Sequence, residues 1–244
     1  MRRFYAMLKI NSLGYDIKQK PLLKEISFHL QKGENLTILG ANGSGKSTLA
    51  KILCGLIPSE KKVLLAGEYI EKMVGAKRAS YINYMPSKFS LYDPYITLKE
   101  YLNLSLYKET PKEKQLKKTL SLLGLLKYQD NYAHELSSGE GQLLLLASTM
   151  MQSATITIFD EPTSNLDPKK TKLVFDVLEH SNMLKQKILI THDLQLAYRL
   201  NYPILYIEDT KATYFKEGFF KEETLKQYFD ETIMIVDDNI VETL

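Results

Sequence analysis

The sequence predicts an α/β fold with a mostly parallel sheet and an inserted helical segment, on three observations. An apolar strand-like run, Leu36 to Leu39, leads straight into Gly40-Ala-Asn-Gly-Ser-Gly-Lys-Ser-Thr48, which fits G-x-x-x-x-G-K-[ST], and helix-like Leu49 to Leu53 follows. From Gly139 onward, helix-like and buried-strand segments alternate, as a parallel sheet requires: Gly139 to Gln152, Thr155 to Phe159, Pro168 to His180, Lys187 to Thr191. Between these regions Leu102, Leu106, Leu116, Leu120, Leu123 and Leu126 recur at helical spacings. A phosphate-loop NTPase core carrying a helical insert accounts for all three.

Taken from the N-terminus, apolar clusters and alternation predict strands over 5–10, 25–30 and 35–39, with turn signals at Asn11-Ser12, Gly14 and Gly33. A helix from Lys46 meets stop signals at Gly55 and Pro58. A short strand, Lys62 to Leu65, turns at Ala66-Gly67 and is followed by a strand over Ser80 to Met85. The helical stretch Leu98 to Lys127 breaks at Thr110-Pro111. After Ile207 the pattern weakens into a hairpin, a helix at Glu222 to Phe229 and a terminal strand, Ile233 to Val236. Without repeats, low-complexity segments or flexible linkers, residues 1–244 read as a single domain, with the helical insert over approximately 86–152 and a short extension over approximately 211–244.

Composition narrows the function classes. A chain of 244 residues, 44% of them hydrophobic, can bury a sizeable core. The net charge of +3 is small, and the basic clusters Lys112 to Lys118 and Lys169 to Lys172 read as solvated helix faces, so composition makes no case for a nucleic-acid partner. No apolar run approaches a membrane span, and Met1-Arg-Arg-Phe-Tyr5 does not lead into a signal-peptide core; the expectation is a soluble, cytoplasmic chain. The single cysteine, Cys54, reads as a small buried hydrophobe, since one thiol makes neither an internal disulfide nor a cysteine metal site.

The chemistry sits in four stretches. In the phosphate loop, glycines at 40, 43 and 45 let the backbone curl until successive N–H groups face an anion at a helix start; Lys46 reaches the same phosphates and the Ser47 hydroxyl is a Mg²⁺ ligand. In Thr155-Ile-Thr-Ile-Phe-Asp-Glu161, a buried strand delivers Asp160 to its carboxyl end as the metal-side carboxylate, and Glu161 follows as candidate base for water. Leu136-Ser-Ser-Gly-Glu140 opens a helix, where the Ser137 hydroxyl and the N–H groups of Ser138 and Gly139 form a second anion-binding start. Ser164-Asn-Leu-Asp167 sits in a tight turn, with Asp167 before Pro168 also suited to cap the next helix, and His192 ends the strand Ile188 to Thr191.

In the order and spacing of these stretches, residues 5–210 resemble the ATPase subunit of an ATP-binding cassette (ABC) transporter. Gly40 to Ser47 match its Walker A motif, Leu136 to Glu140 its LSGGQ signature, Ile156 to Glu161 its Walker B motif, Ser164 to Asp167 its D-loop and His192 its switch histidine. Tyr15 matches the aromatic that stacks on adenine. The resemblance implies a P-loop NTPase core with a mostly parallel sheet, an N-terminal antiparallel β subdomain and an inserted helical subdomain. It implies ATP and Mg²⁺ as ligands, contacted by Gly40, Ala41, Asn42, Gly43, Ser44, Gly45, Lys46, Ser47 and Thr48 of one subunit and by Ser137, Ser138, Gly139 and Asp167 at the dimer interface. By the same resemblance two cassettes pair head to tail, Glu161 polarises water, His192 holds water and γ-phosphate in line, and hydrolysis opens the dimer to move helices of an integral membrane permease. That places the chain at the inner face of the cell membrane, peripheral, with a substrate-binding protein as a further partner.

Two positions depart from the family pattern. After Ile82-Asn-Tyr-Met-Pro86, where the family carries the Q-loop glutamine that touches Mg²⁺ and the membrane subunit, stands Ser87, and no glutamine lies between residues 32 and 114. Ser138 replaces the first signature glycine. An isolated cassette resembles bacterial importers; Glu140 followed by Leu143 to Ala147, and His192 to Ala197, resemble ATPases of iron-chelate, haem or cobalamin importers. The alternatives are a soluble cassette ATPase of iron–sulfur cluster assembly, and a weakly hydrolysing nucleotide-gated clamp, the latter motivated by Ser87 and opposed by Glu161 and His192.

Overall fold

The computed structural model describes residues 7–106, 113–229 and 232–242. The expected start of the first strand at Tyr5, the break at Thr110-Pro111 and Lys112 lie outside the described residues.

Two antiparallel strands open the chain, β1 (Leu8–Ile17) and β2 (Lys20–Leu30). They turn at Lys18-Gln19, both with positive φ (49° and 63°), the two-residue hairpin whose twist suits paired strands. The sequence predicts shorter strands, ending at 10 and beginning at 25. The structure extends both, because Asn11-Ser12 and Gly14 mark a bulged strand and not a strand end. Ser12 and Glu25 have φ of 43° and 52°, and the register shifts between Ile10 and Leu13 and again on either side of Tyr15. The added residue moves the inward face from Leu8 and Ile10 to Leu13, so all three stay buried.

β3 (Leu36–Gly40) is buried throughout and enters a second sheet. The helix after it, α1 (Lys46–Leu53), buries Leu49, Ala50, Ile52 and Leu53 and stops at Gly55, whose φ is 67°. Strands β4 (Val63–Leu65) and β5 (Glu68–Tyr69) then complete the first sheet in the order β2-β1-β4-β5. Helix α2 (Gly75–Tyr81) precedes β6 (Ile82–Met85), so the strand starts two residues later than Ser80. No residue of α2 is buried, which is why no apolar period announces it.

The helical region contains α3 (Leu98–Leu104), α4 (Glu113–Leu122) and α5 (Ser138–Gln152). Leu98, Leu102, Leu116, Leu120, Leu123 and Leu125 pack with Leu144, Leu146 and Met150 of α5 in one cluster, which continues to Met85 and Phe159 under the second sheet. That sheet is completed by β7 (Ile156–Asp160), then α6 (Pro168–His180), β8 (Lys187–Ile190), α7 (Leu194–Leu200), β9 (Ile204–Glu208) and β10 (Lys211–Phe215). Its order is β10-β9-β3-β8-β7-β6, parallel from β9 to β6 with β10 antiparallel at the edge. Helix α7 turns only Leu196, Ala197 and Leu200 inward, too short a run for periodicity to register. Helix α8 (Glu222–Phe229) and a hairpin of β11 (Ile233–Val236) and β12 (Asn239–Glu242) follow; the predicted terminal strand thus gains a partner.

Position follows from this topology. Gly40, Met85, Asp160 and Ile190 end four adjacent parallel strands, with Asp160 level with Ile190 and Met85 level with Phe159. The loops leaving these ends gather at one edge, where open α/β sheets hold their ligands.

Candidate functional site

The phosphate loop is shaped by sterics at Gly45. Its φ is 98°, and a Cβ there would come 2.8 Å from Leu23 Cδ2 and 3.1 Å from Leu22 Cγ, so β2 presses on the loop and only glycine fits. The Ser44 N–H donates to the Ala41 carbonyl (3.2 Å), closing the turn around Asn42 and Gly43. Helix α1 has no side-chain cap and no acid in its first turn, which leaves its first N–H groups to an anion. The Ser44 hydroxyl is buried and makes no hydrogen bond, an orphan that a phosphate oxygen would satisfy. Lys46 is buried, and its Nζ donates to the carbonyls of Gly40 (2.7 Å) and Ala41 (2.9 Å). Burial lowers its pKa from the ordinary lysine value, against the opposing pull of Glu161 and Asp160. A phosphate group would relieve that desolvation. Thr48 is half-buried in the first turn of α1.

Asp160 ends β7 almost wholly buried, yet both its oxygens are engaged. Oδ1 accepts from Ser47 Oγ (3.1 Å) and Oδ2 from the Tyr84 hydroxyl (2.7 Å). A hydroxyl and a carboxylate this close fit a small hard cation. Among the described residues no group of three or more His, Cys, Asp and Glu could hold a metal, so the ion would complete its shell with water and phosphate oxygens, as Mg²⁺ does. Glu161 has a φ of 51°, a left-handed conformation that costs about 1 kcal/mol. Its N–H donates to the Ile190 carbonyl (2.8 Å), while its carboxylate lies 2.9 Å from His192 Nδ1 and accepts from Thr191 Oγ1 (3.3 Å). His192 stands two residues beyond β8 and is largely exposed; the strand ends at Ile190.

The signature stretch lies apart in its bonding. Ser137 caps α5 in a capping box with Glu140: its N–H and hydroxyl donate to Glu140 Oε2 (2.9 and 2.6 Å), and the Glu140 N–H donates to Ser137 Oγ (3.4 Å). The Ser137 hydroxyl bond holds the Glu140 carboxyl below its usual range. The serine hydroxyl thus already serves its own helix and must be re-aimed to meet a phosphate. Ser138 is the first residue of α5 and is exposed, and a Cβ on Gly139 would lie 3.3 Å from Lys170 Nζ. Asp167 caps α6 by accepting from the Lys170 N–H (2.9 Å), with Pro168 at the first helical position, and its other oxygen pairs with Lys170 Nζ (3.0 Å). The Ser164 hydroxyl donates to the carbonyl of Ser87 (3.4 Å), joining the D-loop turn to the segment after β6. Tyr15 is half-buried, level with Leu23 of β2, which itself touches the phosphate loop; Gly14 beside it lies within β1 and not in a turn.

The structure therefore gathers Lys46, Ser47, Asp160, Glu161 and His192, and leaves Ser137 engaged with Glu140. Sequence reasoning missed Tyr84, Thr191 and Lys170. Tyr84 stands in a strand where a tyrosine reads as core, but its place two residues before Pro86 in the strand beside Walker B was the available signal.

Comparison with known proteins identifies the family of the chain. The chain matches the ABC transporter family over residues 23–164, more than half its length, and belongs to that family. It is an ATPase of that family, in which ATP hydrolysis is coupled to transport. The energy-coupling factor transporter ATP-binding protein EcfA1 of Thermotoga maritima is 30% identical over 229 residues, 92% of this chain and 86% of that one. A probable iron chelatin transport ATP-binding protein of Helicobacter pylori is 31% identical, covering 84% and 85%. Among solved structures, cbiO1 from Clostridium perfringens, part of the ABC transporter complex cbiONQ, superposes with a TM-score of 0.75 at 20% identity over 92% of this chain and 96% of that one. The ATP-binding subunit of another ABC transporter gives 0.77 at 20% identity over 89% and 92%. The predicted fold class stands: a phosphate-loop core with a mostly parallel sheet, an antiparallel N-terminal sheet and inserted helices.

Proposed function

We propose that this chain is the ATP-hydrolysing subunit of a membrane importer and works as a head-to-tail pair, each ATP lying between one copy's phosphate loop and the other's Ser137 to Gly139 helix start. The observation that carries this reading is the division of the site: Lys46, Ser47, Asp160, Glu161 and His192 converge at the sheet edge, whereas Ser137 spends its bonds on Glu140. One copy offers half a site.

In the complete site Lys46 leaves the loop carbonyls for the phosphates, and the N–H groups of Gly43 to Thr48 cradle them. Ser47 and Asp160 hold Mg²⁺, which when bound neutralises phosphate charge. Glu161 accepts the proton of the attacking water, and His192 fixes both the carboxylate and the water against the γ-phosphate. Tyr15 stacks on adenine. Ser137, Ser138 and Gly139 of the second copy donate to the γ-phosphate, and Asp167 lines the interface.

The membrane partner docks beside Ser87. A cleft of about 460 Å³ runs between the segment after β6 and helices α3 and α5, lined by Pro86, Lys88, Leu91, Tyr101, Leu104 and Leu145, and it suits a short amphipathic helix of a permease. Among the described residues no helix is long and apolar enough to cross a membrane, so attachment at the inner face would run through that partner. The energy-coupling factor and iron chelatin relatives favour transport over cluster assembly, and the importer reading adds a substrate-binding protein as a further partner.

Size-exclusion chromatography of Glu161→Gln tests the pairing. With ATP and Mg²⁺ the variant elutes as a dimer, and EDTA returns it to the monomer; a monomer at saturating Mg-ATP would overturn the head-to-tail reading.

A further inference from the structure

Tyr84 joins two regions that the motifs treat separately. Its ring lies along the docking cleft with Met85 and Pro86, and its hydroxyl donates to Asp160 Oδ2 at 2.7 Å. The strand pair makes this contact rigid: Tyr84 on β6 is level with Ile158 on β7, so Asp160, two residues on, is its diagonal neighbour on the same face. The Asp160 carboxylate, anchored at Oδ2, cannot swing, and Oδ1 is kept toward Ser47.

Resting on the ATP and Mg²⁺ reading above, we infer that Tyr84 is the positioning residue of the metal site in this chain: its hydroxyl sets the Asp160 carboxylate for the ion and ties the cleft to it. The segment from 32 to 114 has no glutamine, and Ser87 contributes its backbone carbonyl to Ser164. No glutamine in that segment can make the link, whereas Tyr84 makes it from three residues upstream through the carboxylate that would hold the ion. A movement of the segment that displaces Tyr84 would loosen Asp160 without touching the phosphates.

Tyr84→Phe keeps the ring and removes the hydroxyl. Calorimetry with a non-hydrolysable ATP analogue, on the full chain, compares wild type and variant in EDTA and in Mg²⁺. The two proteins bind alike in EDTA, and the strengthening that Mg²⁺ gives wild type falls roughly 10-fold in Tyr84→Phe. The same Mg²⁺ gain in both proteins overturns the inference, as does an equal loss with and without Mg²⁺, which would mark Tyr84 as packing only. Wild type that binds no nucleotide, or binds it without any Mg²⁺ gain, would instead overturn the reading on which the inference rests.

Discussion

His192 Nδ1 lies 2.9 Å from Glu161 Oε1, while Thr191 Oγ1 donates to the other oxygen of the same carboxylate at 3.3 Å. The carboxylate is thus oriented by the two residues that follow β8, the neighbour of the strand that Glu161 follows. Replacing Glu161 by Gln preserves shape and most of these bonds but removes the group that accepts a proton. Steady-state phosphate release is expected to drop at least ~100-fold with ATP binding retained; undiminished release would remove Glu161 from the role of base.

Lys46 makes a second, opposite kind of prediction. Its Nζ is already held at the loop by the Gly40 and Ala41 carbonyls, so little ordering is required when phosphate arrives. Lys46→Ala deletes a charge-assisted bond of about 1.5–3 kcal/mol, equivalent to a roughly 10- to 100-fold loss of Mg-ATP affinity by calorimetry. Unchanged affinity would contradict the phosphate-loop assignment.

How much of this was legible in sequence depended on whether the chemistry tolerates substitutes. Gly45 must be glycine because Leu22 and Leu23 crowd it, and an acid at 160 is what a cation beside Ser47 would require, so both are readable from residue type and motif. The Ser137-x-x-Glu140 capping box follows from spacing. The bulge at Ser12 is written in the same residues as a turn, and only the burial of Leu13 separates the two. Tyr84 and Asp160 lie 76 residues apart, and their bond exists only once β6 and β7 pair. Pair relations such as this, and His192 with Glu161, are properties of register, which a single sequence does not print.

The lateral segment after β6 also touches the signature helix. A Cβ on Gly141 would fall 2.6 Å from Phe89 Cδ1, and Phe89 in turn meets the Tyr101 ring edge-on at 5.7 Å. Gly141→Ala therefore forces Phe89 out of its place. The expected cost is about 1–3 kcal/mol of overpacking, read as a fall in the thermal midpoint, together with reduced ATPase stimulation by the permease. Phe89→Ala in the same background should restore the midpoint by vacating the space; failure to do so would show that Gly141 answers to something other than Phe89.

Cys54 gives a pH prediction. Cys54 is the C-terminal cap residue of α1; its thiol is buried and donates weakly to the Asn83 carbonyl at 3.9 Å, and burial pushes its pKa up to about 12. With the folded value above the unfolded one, the folded chain holds the proton more tightly. This contribution to stability is full below the unfolded thiol pKa and is lost as pH rises through about 12. At pH 8 the native thiol should resist a disulfide reagent and react at once in denaturant. Rapid reaction of the folded protein would show that the helix opens at its end.

The last prediction concerns Ser87, whose backbone carbonyl accepts from the Ser164 hydroxyl and whose side chain stands where the sequence resemblance leads one to expect glutamine. A serine hydroxyl is too short to reach an ion at Ser47 and Asp160 except through water. If the segment follows the family pattern, the longer amide of Ser87→Gln would ligate Mg²⁺ in addition to the Tyr84 to Asp160 bond. A ligand borne on the cleft side would make occupancy of the metal site felt by a docked helix. Coupling of this kind acts on the difference between docked and free states and not on the resting rate. Ser87→Gln should therefore change the permease-stimulated rate more than the basal rate, measured with both forms in one reconstituted membrane system. Equal stimulation in the two forms would show that the side chain at 87 is passive, and that the cleft and the metal communicate through other contacts.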